Sequence, residues 1–111
     1  MKSVLYTPPL MIETANSANY VLYLNVLNVS SSPRTGTLEI LNFSGVQIAY
    51  GGYNNVIPGG GTGIQMQAFQ WAFPVIFVYG KITVDDKPDS IRANLVLADA
   101  KGYTLVSAGA Y

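Results

Sequence analysis

The chain has 111 residues and a mass of 11.9 kDa, one domain of ordinary size, and 50% of its residues are hydrophobic, so it can bury a sizeable core. Six Lys/Arg balance six Asp/Glu and make only 11% of the chain charged, against about 25% in a typical soluble domain. With no histidine and no cysteine, the composition excludes thiol nucleophiles, Ser-His-Asp and Cys-His machinery, disulfides, zinc fingers and most transition-metal sites.

A folded monomer of this mass exposes roughly 6,000 Å². Its few charges then stand about one per 500 Å², a spacing as large as the biggest apolar patch on an ordinary monomer, about 300–600 Å². Part of the surface is therefore expected to face another protein. Zero net charge and a pI near 6.0 argue against a nucleic-acid partner, which calls for a basic stripe. A membrane partner is not expected either. The longest apolar stretch, Phe73 to Gly80, is strand-sized and contains Pro74, far short of the roughly 20 residues of a membrane helix.

At the N-terminus, Lys2, the apolar residues Val4–Ile12 and Ala15–Ala18 sketch a secretion signal, but Thr7 and Pro8-Pro9 split the apolar stretch. The expectation is a retained Met1, an arm or connector over residues 1–18 and a folded domain over 19–111. Within the arm, Met1–Thr7 can extend, and Pro8-Pro9 is expected to stiffen it away from the body. Its apolar residues Val4, Leu5, Tyr6, Pro8, Pro9, Leu10 and Met11 are the candidate contacts with a neighbouring subunit. An extended arm can complete a sheet edge by adding a strand. The pattern alone leaves open whether that edge belongs to a neighbour or to the arm's own sheet.

From residue 19 onward the hydrophobic period is two. Asn19–Val29 reads as a long strand with Tyr20, Leu22, Leu24 and Val26 on one face. Ser30–Arg34 is a loop, and Thr35–Asn42 follows with Leu38 and Ile40 inward. Phe43–Gly45 turns the chain into Val46–Tyr50, and Asn54–Ile57 is a short extended piece after Gly51-Gly52. Beyond Pro58–Gly61, Thr62–Phe69 sets Ile64, Met66 and Ala68 against Gln65 and Gln67. Gln70–Pro74 is a corner.

Val75–Val84 is the most apolar strand, with Val75, Phe77 and Tyr79 facing one way and Ile76, Val78, Ile82 and Val84 the other. A charged turn over Asp85–Asp89 precedes Ile91–Ala98. Asp99–Gly102 is a hairpin turn before Tyr103–Ala108. Seven to eight short antiparallel strands, rich in β-branched and aromatic residues, define an all-β class: a single antiparallel β-sandwich, jelly-roll-like, with an extended N-terminal arm.

Chemistry has little to stand on. Asp85, Asp86 and Asp89 crowd one turn, yet Lys87 interrupts them and the spacing of a calcium loop is missing. Pro58–Gly63 has the glycines of a phosphate cradle without its lysine or its helix, so it reads as a tight turn. Asn28-Val-Ser30 and Asn42-Phe-Ser44 match the glycosylation sequon. Neither a catalytic site, a metal nor a cofactor is expected, and the protein is not read as an enzyme. Among the aromatics, Tyr50, Tyr53 and Trp71 lie near loops or corners and are candidates for sugar stacking or protein contact.

The order of these pieces carries a resemblance. Leu24–Ser30 runs through a Ser/Pro loop into Thr35–Ile40; then come Ile57–Gly63, a long apolar strand with a charged turn, Ile91–Leu97, and Asp99–Gly102 before a final strand. From Tyr20 to Ala108 this resembles the small β-sandwich proteins of bacterial spore surfaces, in particular the subunits of endospore appendages of Bacillus and its relatives. The resemblance implies a jelly-roll subunit that polymerises into an extracellular fibre on the spore surface, with copies of itself and an anchoring protein there as partners. Its N-terminal connector, corresponding to Met1–Met11, would dock on a neighbour through Val4, Leu5 and Tyr6.

The resemblance further implies assembly in the mother cell, without a secretion signal. The cysteines that lock such subunits together are absent from this chain. Two other functions fit the same pattern: a carbohydrate-binding module built around Trp71, and a jelly-roll virion protein of the decoration or minor-capsid type.

Overall fold

The period-two pattern becomes ten strands in the structure, a computed structural model that describes residues 2–13, 20–52, 55–68, 75–99 and 104–109. In chain order they are β1 (Ser3–Tyr6), β2 (Leu10–Glu13), β3 (Tyr20–Asn28), β4 (Arg34–Asn42), β5 (Gln47–Tyr50), β6 (Asn55–Ile57), β7 (Thr62–Ala68), β8 (Val75–Val84), β9 (Ile91–Asp99) and β10 (Thr104–Gly109). All pairings are antiparallel. In the first sheet β1 and β2 follow one another along one edge of β8, β4 lies on its other edge, and β5 and β6 line the far side of β4. The second sheet has the order β10-β9-β3-β7. Counting collinear pieces together, each layer has four strand positions, and the protein is an all-β sandwich. The corner at Gln70–Pro74, the turn at 100–102 and the boundary at residues 18 and 19 lie outside the described residues.

Alternation fills the space between the layers. Leu22, Leu24 and Val26 of β3, Leu38 and Ile40 of β4, Val78, Ile82 and Val84 of β8, and Ile91 and Leu95 of β9 are all buried in one cluster. Each such side chain contributes roughly 1.5–3 kcal/mol by leaving water. Among the described side chains, the faces assigned from sequence to β3, β4, β7 and β8 are those observed. Leu41 breaks the alternation: it follows the inward Ile40 and is buried on the outer side, where the pairing of β4 with β5 shifts register.

Asn28 organises one end of the sandwich. It is fully buried, and its Nδ2 donates to the carbonyls of Ser32 and Ile57 at 2.8 and 3.0 Å. Its Oδ1 accepts from the N–H and hydroxyl of Ser30 at 3.0 and 2.6 Å. The adjoining Pro58–Gly63 segment is the tight turn expected, with Gly60 and Gly61 in the left-handed region at φ 77° and 82°. At Gly63 a Cβ would meet the carbonyl oxygen of Val26 at 1.9 Å, so only glycine lets β7 approach β3 there. The residue that opens a sequon is thus an internal strut, closed to a glycan.

The charged turn after β8 is tied down rather than open. Asp85 accepts from the N–H of Thr35 at 3.1 Å and from its hydroxyl at 2.8 Å. Asp86 Oδ2 lies 2.6 Å from the buried Arg34 Nε, an ion pair without hydrogen-bond alignment. Both contacts fasten the turn to the start of β4. The Thr35 hydroxyl bond is the first cause that holds the Asp85 carboxyl below its ordinary value of 3.8, with backbone N–H groups and Arg34 assisting and burial opposing.

Candidate assembly surface

The arm pairs within its own chain, along the free edge of β8. Ser3–Tyr6 run against Val84–Lys81 and Leu10–Glu13 against Val78–Val75. Pro8-Pro9 does not carry it away from the body. Tyr6 faces Lys81 and Leu10 faces Val78, so four steps along the arm match three along β8. The extra residue is a bulge, and two prolines suit it because neither has an N–H to leave unpaired.

The bulge also decides which side chains face where. Leu5 and Leu10 differ in parity, so an unbroken strand would point one of them at solvent. With one residue inserted, both sit in the core at 3% and 6% exposure. Thr7, itself buried, clamps the break: its N–H donates to Gly80 O at 3.0 Å, and its hydroxyl accepts from Gly80 N–H at 2.8 Å.

Val4, Tyr6 and Met11 point outward, and the last two adjoin an exposed aromatic face. Met11 lies opposite Phe77, and Tyr6 packs on Tyr79 with ring centroids 6.0 Å apart. Phe77 stacks on Phe43 at 4.9 Å with their planes 11° apart, and Phe43 reaches Tyr79 at 6.4 Å. Phe43 is held there by its turn. Asn42 Oδ1 accepts from the N–H groups of Ser44 and Val46, each at 3.0 Å, and Gly45 takes a positive φ of 76°. Phe43 and Met11 are each 63% exposed, Tyr6 51% and Val4 46%.

Further along the same face, Lys81 Nζ and Glu39 Oε2 approach to 3.9 Å, and Gln47 Nε2 donates to Glu39 Oε1 at 2.9 Å. Lys81 and Glu39 thus neutralise each other in the middle of this face. An apolar, aromatic, charge-paired surface is the composition of a protein–protein contact.

The expected site residues therefore divide. Val4, Tyr6 and Met11 belong to the outer face, Leu5 and Leu10 to the core, and Pro8 and Pro9 to the exposed bulge. Tyr50 is exposed at the end of β5, whereas Tyr53 and Trp71 lie outside the described residues. The trio Phe43, Phe77 and Tyr79 was not singled out from sequence. Its signal was the pattern of β8, whose two faces are both apolar although a sandwich strand hides only one.

Among the described residues, no three His, Cys, Asp or Glu side chains come together as a metal site, and no helix is long and apolar enough to cross a membrane. No protein-family model matches the chain, and no curated protein matches it in sequence.

Proposed function

We propose that the protein is a structural subunit that assembles with copies of itself into an extracellular fibre of the spore-surface type, its arm docking on the β8 edge of the next copy. The observation that carries this reading is the outer face of the first sheet, where exposed Tyr6 and Met11 of the arm adjoin Tyr79, Phe77 and Phe43 of the body, with exposed Val4 further along the same face. An arm paired within one chain and an arm paired with a neighbour make the same backbone bonds and bury the same Leu5 and Leu10. Exchange of an identical element is a low-cost route to association, and a head-to-tail contact yields an open filament unless it closes into a ring. Because the exchange itself is close to neutral in contacts, burial of the aromatic face drives assembly, at roughly 25 cal/mol per Å² of apolar surface removed from water.

The test is negative-stain electron microscopy of the full-length protein beside a chain lacking residues 1–13. Fibres are expected from the first and none from the second. A synthetic peptide of residues 2–13, added to the shortened chain, is expected to give soluble, folded, peptide-capped monomers, which separates loss of the arm from failure to fold. Discrete monomers from the full-length protein, or fibres that survive loss of the arm, would overturn the reading.

A further inference from the structure

The opposite side of the sandwich carries the opposite chemistry. On the outer face of the second sheet, Asn94 of β9, Asn25 of β3 and Gln65 of β7 stand in one cross-strand row, with Gln67 in the next row. Their amides are joined head to tail. Gln67 Nε2 donates to Gln65 Oε1 at 3.3 Å, Gln65 Nε2 to Asn25 Oδ1 at 2.8 Å, and Asn25 Nδ2 to Asn94 Oδ1 at 2.9 Å. A hollow of about 590 Å³ lies over this row, and the next row toward its end is Arg92, Leu27 and Gly63, where β7 contributes no side chain. The same three amides line a second hollow of about 470 Å³ that runs on to Tyr23 and Val96. Either volume lies within the roughly 300–1,000 Å³ of ordinary ligand clefts.

The lining selects a chemical class. Among the described residues no carboxylate lines either hollow, and the one cation there, Arg92, already donates through Nη1 to the carbonyls of Asp89 and Ile91 at 2.9 and 3.1 Å. A primary amide carries two N–H donors and two acceptor lone pairs, and the ladder draws on at most one N–H of each. Donors and acceptors thus stand side by side at the roughly 4.8 Å spacing of neighbouring strands. Adjacent hydroxyls of a sugar, each able to donate and accept, are complementary to such a surface. The ladder fixes the amides beforehand, which lowers the entropy lost on binding, and Tyr23 offers an aromatic ring with a polar tip. A peptide would be recognised through backbone pairing at a sheet edge, whereas this groove lies on a face.

We propose that the groove over Asn25, Gln65 and Asn94 binds a neutral polysaccharide chain. The proposal stands apart from the assembly reading, because the aromatic surface belongs to the other sheet.

The test is affinity gel electrophoresis of the full-length protein, whatever its assembly state, through a soluble mixed-linkage β-glucan, a mannan and a dextran, with alginate as the anionic comparison. Variants Asn25→Ala and Gln65→Ala are run alongside, with Thr37→Ala on the other sheet as control and circular dichroism to confirm folding. Retardation by at least one neutral polymer is expected. Loss of one or two hydrogen bonds at Asn25 should weaken it about tenfold, while Thr37→Ala leaves it unchanged. Four results would overturn the proposal: no retardation by any neutral polymer, retardation by alginate alone, retardation that both amide variants retain, or amide variants that change only the oligomeric state. The last would make the face a contact between copies.

Discussion

Replacing Leu5 with alanine tests whether the arm can leave the sandwich without unfolding it. Leu5 is 3% exposed and packs in the core opposite Ile82. Core Leu→Ala changes cost about 2–5 kcal/mol, less where the surroundings can collapse. On an edge strand the lower part of that range applies, about 3 kcal/mol. If the arm detaches by itself, the whole loss falls on its docking equilibrium, and the detached population rises roughly 100-fold.

Gly80 is the reporter, since its N–H is bonded to Thr7 Oγ1 at 2.8 Å and neither residue is altered. Amide hydrogen exchange at Gly80 should accelerate roughly 100-fold in Leu5→Ala, with the amides of β3 and β9 that pair with each other unchanged. Val4→Ala, on the same strand at 46% exposure, should shift Gly80 by only about twofold. Equal acceleration in β3 and β9 would show that arm and sandwich open as one unit, and exchange of the arm between folded copies would then be refuted.

Asn28→Ala removes four hydrogen bonds from a fully buried side chain; at about 1 kcal/mol each, urea denaturation should show a loss of about 4 kcal/mol. Gly63→Ala forces a Cβ to within 1.9 Å of Val26 O, so β7 should separate from β3, with a loss at or above the upper end of the about 1–3 kcal/mol usual for overpacking. Because the Asp85 carboxyl is held below 3.8 by Thr35, its stabilisation is complete above that value and is lost as pH falls through the lowered one. Thr35→Val should therefore melt below the wild type at neutral pH, and the gap should narrow as the pH falls below 3.8. Phe77→Ser on the aromatic face should change the melting temperature little and abolish assembly, since its stacking on Phe43 is worth only about 0.5–1.5 kcal/mol within the monomer.

Strands were legible in this chain because their alternation is clean. Leu22, Leu24 and Val26 against Tyr23 and Asn25, or Met66 and Ala68 against Gln65 and Gln67, leave no doubt about the hidden face. The arm was harder because its two leucines have opposite parity, and only a bulge places both inside. A bulge depends on the partner strand, here on Gly80 opposite Thr7, and a linear pattern carries no trace of that pairing. Asn28 was hidden for a related reason. Its partners Ser32 and Ile57 are brought together by the fold, so in sequence the residue shows only as the first letter of a sequon. The amide ladder was half visible: Gln65 and Gln67 alternate on one strand, but Asn25 and Asn94 meet only through register.

The bulge links two properties that would otherwise vary separately. Each half of the arm contributes one leucine to the core and at least one exposed apolar side chain to the outer face: Leu5 with Val4 and Tyr6, Leu10 with Met11. An undocked arm therefore opens the β8 edge and also strips the aromatic face of its arm members. In the proposed fibre this makes the two ends unequal. One end presents a bare β8 edge beside Phe43 and Phe77, and the other presents a free arm. A copy whose arm lies on its own β8 edge carries the complete face, whereas a copy whose arm has left that edge keeps only the body's share, Phe43, Phe77 and Tyr79, until another arm docks. Docking of an arm and completion of the apolar face are therefore one event, whichever copy supplies the arm, and the face available for contact follows the occupancy of the β8 edge.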